Sequence, residues 1–155
     1  MKEYRLERST TVRRPLEEVF QFFSAAENLQ AITPPELQFE ILTPLPIQMA
    51  VGTVIDYRIR LCGIPFYWQT EIVAWEPNRM FIDVQKKGPY RKWEHTHRFY
   101  ERGRITLVED EVVYAVPGGP LAPVLHRLFV GARVQRIFDY REAQIKFLLE
   151  GSSTR

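Results

Sequence analysis

Residues 121–150, LAPVLHRLFVGARVQRIFDYREAQIKFLLE, are the stretch that decides the fold. Their apolar side chains recur at the three- and four-residue spacing of an amphipathic helix. The recurring residues are Val124, Leu125, Leu128, Phe129, Ala132, Val134, Ile137, Phe138, Ile145, Leu148 and Leu149. Pro123 fits only in the first turn of a helix, and Gly131 indicates a kink or a close approach. The pattern predicts one long helix from Leu121 to Glu150, followed by Gly151 at its end.

The chain before this helix has the pattern of an antiparallel meander. Alternating segments follow one another about every ten residues, with Gly or Pro turns between them. They predict strands over 53–61, 65–75, 80–86, 91–101 and 105–116. A proline-interrupted segment before them predicts an edge strand over 38–43, and the N-terminus predicts a strand over 4–13.

Two short helices are predicted after the first strand. Pro15 suits the first helical position, and Glu17 and Glu18 then favour the positive end of the helix dipole. Ser24 and Glu27 have the spacing of a capping box, which predicts a second short helix that begins at Ser24. That helix ends before Pro34, because a residue that precedes proline avoids the α conformation.

This element order predicts an α+β helix-grip fold, in which a curved antiparallel sheet wraps around the long C-terminal helix. The sheet must cover its apolar concave face, and one helix cannot fill all the space beneath it. We therefore expect a cavity between sheet and helix, where ligands commonly bind. Residues 1–151 are expected to form a single domain, and residues 152–155 a disordered tail.

Composition excludes several classes of function. With 21 Lys and Arg against 19 Asp and Glu, the net charge of +2 argues against a nucleic-acid partner. The single cysteine, Cys62, excludes an internal disulfide and a multi-cysteine metal site. No apolar run approaches the length of a membrane span, and the charged N-terminal residues do not resemble a signal peptide. We expect a cytoplasmic protein.

The stretch KWEHTHRFY, residues 92–100, carries two of the three histidines. In a strand, Trp93, His95, His97 and Phe99 lie on one face, because side chains alternate with period 2. Imidazoles between aromatic rings suit the polar lining of a pocket, a proton-transfer pair or a metal site.

A metal site is the weakest of these three interpretations. His95, His97 and Glu101 form a His-x-His-x-x-x-Glu pattern close to the first cupin motif. The glycines of that motif are displaced, however, and the second cupin motif is missing. We expect no metal and no cofactor.

The sequence resembles the START-like (SRPBCC) superfamily of polyketide cyclases, dehydrases and lipid-transfer domains, and in particular the bacterial ligand-binding SRPBCC domain proteins. The resemblance covers about residues 3 to 150 and is carried by four stretches. They are RRPLEEVFQFFSAAENLQAITPPEL, FYWQTEIVAWEPNRMFIDVQKKGPYRKWEHTHRF, LVEDEVVYAVPGGPL and RIFDYREAQIKFLL. It implies a START-like helix-grip domain with a cavity for an apolar or amphipathic small molecule. Related domains also occur attached to epimerase-like proteins.

The predicted strand over 80–86 has two candidate inward faces. Apolarity alone would send Met80, Ile82 and Val84 inward, whereas the resemblance favours Asp83 and Gln85. We adopt the second face, since a buried Asp83 could pair with a histidine. The predicted ligand-binding residues are Tyr57, Trp68, Thr70, Phe81, Asp83, Gln85, Trp93, His95, His97, Phe99, Tyr114 and Phe138.

The preferred hypothesis is a protein that binds a hydrophobic or aromatic small molecule, lipid- or polyketide-like, between the sheet and the C-terminal helix. The alternative is a cyclase- or dehydratase-like enzyme in which His95 or His97 transfers protons and Asp83 orients the ring. A second alternative is an interaction module without ligand. A homodimer is a further possible state.

Overall fold

A computed structural model of the chain describes residues 1–151, and the predicted tail at 152–155 lies outside the described residues. In chain order the strands and helices are β1 (Tyr4–Val12), α1 (Leu16–Ser24), α2 (Asn28–Ala31), β2 (Glu40–Ile41), β3 (Val54–Leu61), β4 (Ile64–Glu76), β5 (Met80–Lys87), β6 (Lys92–Arg102), β7 (Ile105–Ala115), α3 (Ala122–Leu125) and α4 (Gly131–Glu150). Short 3-10 turns occupy Pro35–Leu37 and Gly119–Leu121.

The strands form one antiparallel sheet in the order β1-β7-β6-β5-β4-β3-β2. Two register shifts interrupt the pairing of β4 with β5, between Gln69 and Thr70 and between Ile72 and Ala74. Irregularities of this kind bend a strand and increase its twist. The sheet curves around the C-terminal helix, so the predicted α+β helix-grip fold is confirmed.

The C-terminal helix is continuous from α3 to α4 through a π-helical turn at His126–Val130. A Cβ atom on Gly131 would lie 3.1 Å from Cε1 and 3.2 Å from the carbonyl oxygen of His126. Glycine therefore permits the close approach that the sequence indicated at this position. Beyond the π turn, α4 buries Val134, Phe138, Arg141 and Ile145 against the sheet.

Two local predictions were wrong. Ser24 is the last residue of α1 and its hydroxyl donates to the carbonyl of Phe20 at 2.8 Å, so it cannot cap a new helix. The second helix begins at Asn28 without a side-chain cap. The edge strand predicted over 38–43 contains only Glu40 and Ile41, because Gln38 adopts a left-handed conformation and the prolines at 44 and 46 cannot donate to a ladder.

The interior is solid at the end of the C-terminal helix and hollow beside its middle. Around α1 and the end of α4, Val12, Val19, Phe20, Phe99 and Ile145 pack into a closed core. Beside the middle of α4, where Ile137, Phe138 and Arg141 face the concave side of β3 and β4, an open space remains instead. Within residues 1–151, no helix has the length and apolarity needed to cross a membrane.

A candidate ligand-binding cavity

A cavity of about 160 Å³ lies between the concave face of the sheet, α4 and the segment from α1 to β2. A dry apolar cavity of about 150 Å³ is known to hold benzene, so the space admits at least one aromatic ring. Most of the wall is apolar or aromatic. The polar side chains in the lining are Asn28, Thr33, Thr70, Asp83, His95, His97 and Arg141.

Two histidine–aspartate pairs form the polar part of the wall. His97 Nε2 lies 2.7 Å from Oδ2 of Asp83, and His95 Nε2 lies 2.7 Å from Oδ1 of Asp110. In the sheet register, Asp83 is opposite His95 and Asp110 is opposite His97. Each histidine therefore binds the aspartate that faces the other histidine, which is a diagonal cross-strand contact. The two imidazole rings stack with centroids 3.6 Å apart.

Arg141 of α4 closes this network from the helix side. One of its terminal nitrogens lies 3.4 Å from His97 Nδ1 and 3.6 Å from Asp110 Oδ1. Arginine can only donate, so Nδ1 of His97 accepts this contact and its proton is on Nε2, where it is donated to Asp83. A neutral His97 thus fits between a carboxylate and a guanidinium.

The electrostatics of the cluster agree with this assignment. Burial lowers the pKa of His97 to about 4, helped by the neighbouring His95, and the Asp83 carboxylate offsets only part of the effect. His97 is therefore neutral at neutral pH. One face of the His97 ring stacks on His95, and the opposite face stacks on Phe81 with ring centroids 3.9 Å apart, so little water reaches the imidazole.

Both aspartates are charged despite their burial. Burial would raise the pKa of Asp110, but the charge of Arg141 and the hydrogen bond from His95 hold it well below its usual range. For Asp83, the effect of burial is outweighed by the hydrogen bond from His97, with help from the nearby charge of Arg141, and the pKa is again lowered. Asp83 is the more accessible of the two, with 18% of its side chain exposed against 4% for Asp110.

Two buried donors in the cavity wall have no hydrogen-bond partner among residues 1–151. They are Nε1 of Trp68 and Nε of Arg141. A buried donor without an acceptor costs about 1–3 kcal/mol. A ligand with oxygen acceptors could recover part of that cost.

The cupin-like set of His95, His97 and Glu101, which the sequence pattern suggested only weakly, is not assembled. Glu101 is exposed near the end of β6, away from the cavity lining. Atoms of Asp83, His95 and His97 do lie within 4.8 Å of one another, a spacing that could hold a metal ion. However, the Nε2 atoms of both rings already bind carboxylates, and the guanidinium of Arg141 opposes a further cation. The arrangement favours a hydrogen-bonded network over metal ligation.

The structure brings most of the predicted site residues to one cavity. Those in its lining are Tyr57, Trp68, Thr70, Phe81, Asp83, Trp93, His95, His97 and Phe138. On β5 the face with Phe81 and Asp83 is the concave one. Burial next to Asp83 raises the pKa of Tyr57 well above its usual value, so this phenol remains protonated. Contact of these residues with a ligand stays a prediction.

Three predicted residues lie outside the lining. Gln85 binds the backbone of Tyr90 through both amide atoms, at 2.7 and 3.2 Å, and so fixes the turn before β6. Phe99 packs in the closed core, its ring centroid 5.1 Å from that of Phe20. The Tyr114 hydroxyl is 2.7 Å from His126 Nε2, so its polar end is turned to the helix.

Two residues of the network, Asp110 and Arg141, were missing from the predicted site. The turn that joins β6 to β7 pairs Arg102 with Ile105. Five residues before Arg102 is His97 and five residues after Ile105 is Asp110, so the strand register places them opposite each other. This register could have identified Asp110 as a neighbour of the histidines. Arg141 lies between Phe138 and Ile145 at helical spacing, so a charged residue on the apolar face of the helix was a second signal.

The fold and cavity define a START-like helix-grip domain of the kind that encloses small molecules. The sequence model for polyketide cyclases, dehydrases and lipid transport matches residues 12–138. The chain therefore belongs to the polyketide cyclase/dehydrase and lipid transport family. No curated protein sequence is significantly similar to it.

Solved structures share the fold at low sequence identity. The Zhui aromatase/cyclase from Streptomyces sp. R1128 superposes with a TM-score of 0.76 at 17% identity, covering 96% of this chain and 94% of that one. A START superfamily protein from Mycobacterium smegmatis gives 0.63 at 17% identity, covering 93% and 98%. A nucleoside-diphosphate sugar epimerase from Corynebacterium glutamicum gives 0.66 at 19% identity, and this chain matches 29% of its length.

Proposed function

We propose that this protein binds a hydrophobic or aromatic small molecule in the cavity between the sheet and α4. The observation that carries the proposal is a cavity with apolar walls and one convergent polar cluster. Small-molecule sites are built in this way, since apolar walls supply affinity and a few polar groups fix orientation. Membership of the polyketide cyclase/dehydrase and lipid transport family supports the proposal, because that family's fold encloses such ligands.

The polar groups narrow the chemistry of the ligand. With His97 neutral, the two carboxylates of Asp83 and Asp110 at least balance the cations beside them, so the network carries no net positive charge to bind an anionic headgroup. The unpartnered Trp68 and Arg141 donors instead favour uncharged oxygen acceptors. We therefore expect a largely apolar ligand with carbonyl, ether or hydroxyl oxygens. The cytoplasmic location inferred from the sequence stays a prediction.

Filling the cavity should abolish binding. Ala26 is 7% exposed and lines the cavity, so Ala26→Phe places a ring in the space that the ligand would use. Wild-type protein should bind the neutral fluorescent probe N-phenyl-1-naphthylamine and carry a co-purified compound in native mass spectra. We expect Ala26→Phe to weaken probe binding by about tenfold or more, the equivalent of about 1.4 kcal/mol.

Ala50→Phe is the matched control, because Ala50 is exposed and lies outside the lining. It should bind the probe as wild type does. Circular dichroism of both variants would exclude unfolding as the cause. If wild type binds neither the probe nor any co-purified compound, the binding function is wrong and the interaction-module alternative gains support.

An enzymatic function is the second candidate, favoured by the accessible Asp83 carboxylate at the end of the His97 network. A carboxylate of this kind could accept a proton from a bound polyketide-like carbonyl compound, with His97 holding it in place. We expect a synthetic linear triketone to cyclise and lose water in the presence of the protein. Asp83→Asn should lower that rate by about 100-fold or more.

Asp139→Asn is the control for this experiment. Asp139 is an exposed aspartate of α4 that pairs with Arg8 outside the cavity, so its replacement should leave the rate unchanged. Product formation would be followed by absorbance and mass spectrometry. Equal rates in wild type and Asp83→Asn would overturn the catalytic role of Asp83 without touching the binding proposal.

A further inference from the structure

The first part of the C-terminal helix and the 3-10 turn just before it expose an unusual amount of apolar surface. Leu121, Val124, Leu125, Leu128 and Phe129 are 65%, 43%, 36%, 58% and 62% exposed. We call these five residues the apolar helix face. Single exposed apolar residues are ordinary, but a contiguous group of this size commonly marks an interaction site.

This segment turns its large apolar side chains to the outside, which is the reverse of a normal surface helix. Its contact with the body of the protein runs through Ala122, His126 and Val130, which lie one turn apart and are only partly buried. The His126 ring stacks on Tyr4 with centroids 3.5 Å apart. A surface helix usually buries its apolar stripe, whereas this one holds the protein with its smaller side chains and a histidine.

The π-helical turn explains how the same helix buries one face and exposes another. A π turn inserts an additional residue and so rotates the apolar positions before it relative to those after it. After the turn, Val134 and Phe138 are buried against the sheet. Within the turn, Leu128 and Phe129 are exposed instead, as are Val124 and Leu125 before it.

The apolar helix face adjoins the cavity. Arg133, one turn after Phe129, donates a hydrogen bond to Sγ of Cys62 at 3.0 Å, which places the turn between β3 and β4 beside the helix. Leu61, which precedes Cys62, and Ile137, one helical turn after Arg133, both line the cavity. Ile64 on the same turn is 58% exposed and extends the apolar surface.

The charged residues of this stretch of helix all have one sign. No Asp or Glu occurs between residues 112 and 138, whereas Arg127, Arg133 and Arg136 do. Among the ion pairs of residues 1–151, only that of Arg136 with Glu36 reaches this stretch of helix. Lys2 adds a further cation, since it lies over the ring of Tyr4 that stacks on His126.

We propose that the apolar helix face docks onto an anionic lipid membrane surface beside the cavity. A helix segment with an exposed apolar face and basic flanks matches the way interfacial helices bind, by apolar insertion and attraction to acidic lipids. A second copy of the chain fits less well. A two-fold contact through this face would bring Arg127 and Arg133 of both copies together without acidic partners. The proposal does not depend on which ligand fills the cavity.

Vesicle flotation tests this surface directly. Wild-type protein should float with vesicles of phosphatidylcholine and phosphatidylserine at roughly three to one, and much less with phosphatidylcholine alone. The variant Leu128→Ser with Phe129→Ser should lose about tenfold or more of this binding, because its apolar contact is removed. Raising the salt concentration should weaken wild-type binding, since the lipid charge is screened.

The variant Phe147→Ser is the matched control. Phe147 lies on the same helix and is 58% exposed, but it is outside the apolar helix face and close to the acidic Glu142 and Glu150. It should float like wild type. The proposal would be overturned if the Leu128→Ser, Phe129→Ser double variant floated as well as Phe147→Ser, or if wild type did not float. A wild-type dimer in solution that the double variant converts to a monomer would also overturn it, because the surface would then be covered by a second copy.

Discussion

Replacing Arg141 by alanine should lower the free energy of unfolding by about 3–5 kcal/mol, the range for removing one member of a buried ion pair. Arg141 is 6% exposed and its guanidinium lies 3.6 Å from Asp110. Without it, the hydrogen bond of His95 is the main remaining compensation for the burial of Asp110 among residues 1–151. Urea unfolding followed by circular dichroism would measure the loss.

An exposed arginine on the same helix provides the control. Arg136 pairs with Glu36 at the surface, at 2.8 Å, where solvent screens the attraction. Arg136→Ala should therefore change stability little. A loss for Arg141→Ala no larger than for Arg136→Ala would show that Arg141 does not compensate a buried charge.

The double variant Asp110→Asn with Arg141→Met separates the ion pair from simple packing. Removing both charges together avoids the unpaired carboxylate, and well-packed replacements of a buried pair are often neutral or better. We expect the double variant to recover a large part of the stability lost in Arg141→Ala. No recovery would mean that the shape of the arginine, rather than its charge, stabilises the fold.

Stability should fall by about 3 kcal/mol between about pH 6.5 and pH 4 because of His97. The pKa of His97 is lowered from 6.5 in the unfolded chain to about 4 in the folded protein. Over that interval the unfolded chain binds a proton that the folded protein does not, so stability rises with pH. The stability that depends on neutral His97 is fully present above about pH 6.5 and is lost as the pH falls toward 4. Asp83 and Asp110, whose pKa values are lowered in the folded protein, affect stability at lower pH. Their stabilisation is lost only as the pH falls below the pKa that an aspartate has in the unfolded chain.

The variant His97→Gln should flatten this dependence, because glutamine does not titrate. Urea midpoints between about pH 7 and pH 5 would give the slope. His126→Gln is the control, since His126 is at the edge of the fold and burial lowers its pKa to a smaller extent. It should keep most of the wild-type slope. An unchanged slope in His97→Gln would contradict a neutral His97 in the folded protein.

Much of the fold could be predicted from the sequence, because its signals are local. The strand over 91–101 was placed within one residue of β6, and the long helix was predicted from the spacing of its apolar residues. The local predictions failed where another interaction was stronger than the one that the sequence pattern indicated. Ser24 and Glu27 have the spacing of a capping box, but the Ser24 hydroxyl instead binds the preceding turn of α1.

The candidate site could be predicted only in part. Trp93, His95 and His97 line the cavity as their shared strand parity suggested. Phe99 has the same parity but belongs to the closed core, because alternation tells which face a residue occupies and not how far along the face the cavity extends. Gln85 has the parity of Asp83, yet its amide is used by the Tyr90 backbone.

The sequence by itself determined the order of the elements, the inward face of β6 and the apolar stripe of α4, because each follows from a repeat of two or of about 3.6 residues along the chain. Only the tertiary structure decided that His97 binds Asp83, that His95 binds Asp110 and that Arg141 lies beside Asp110 and His97. Those contacts join residues from three strands and a distant helix. Their energies depend on register, curvature and exclusion of water, which no local pattern contains.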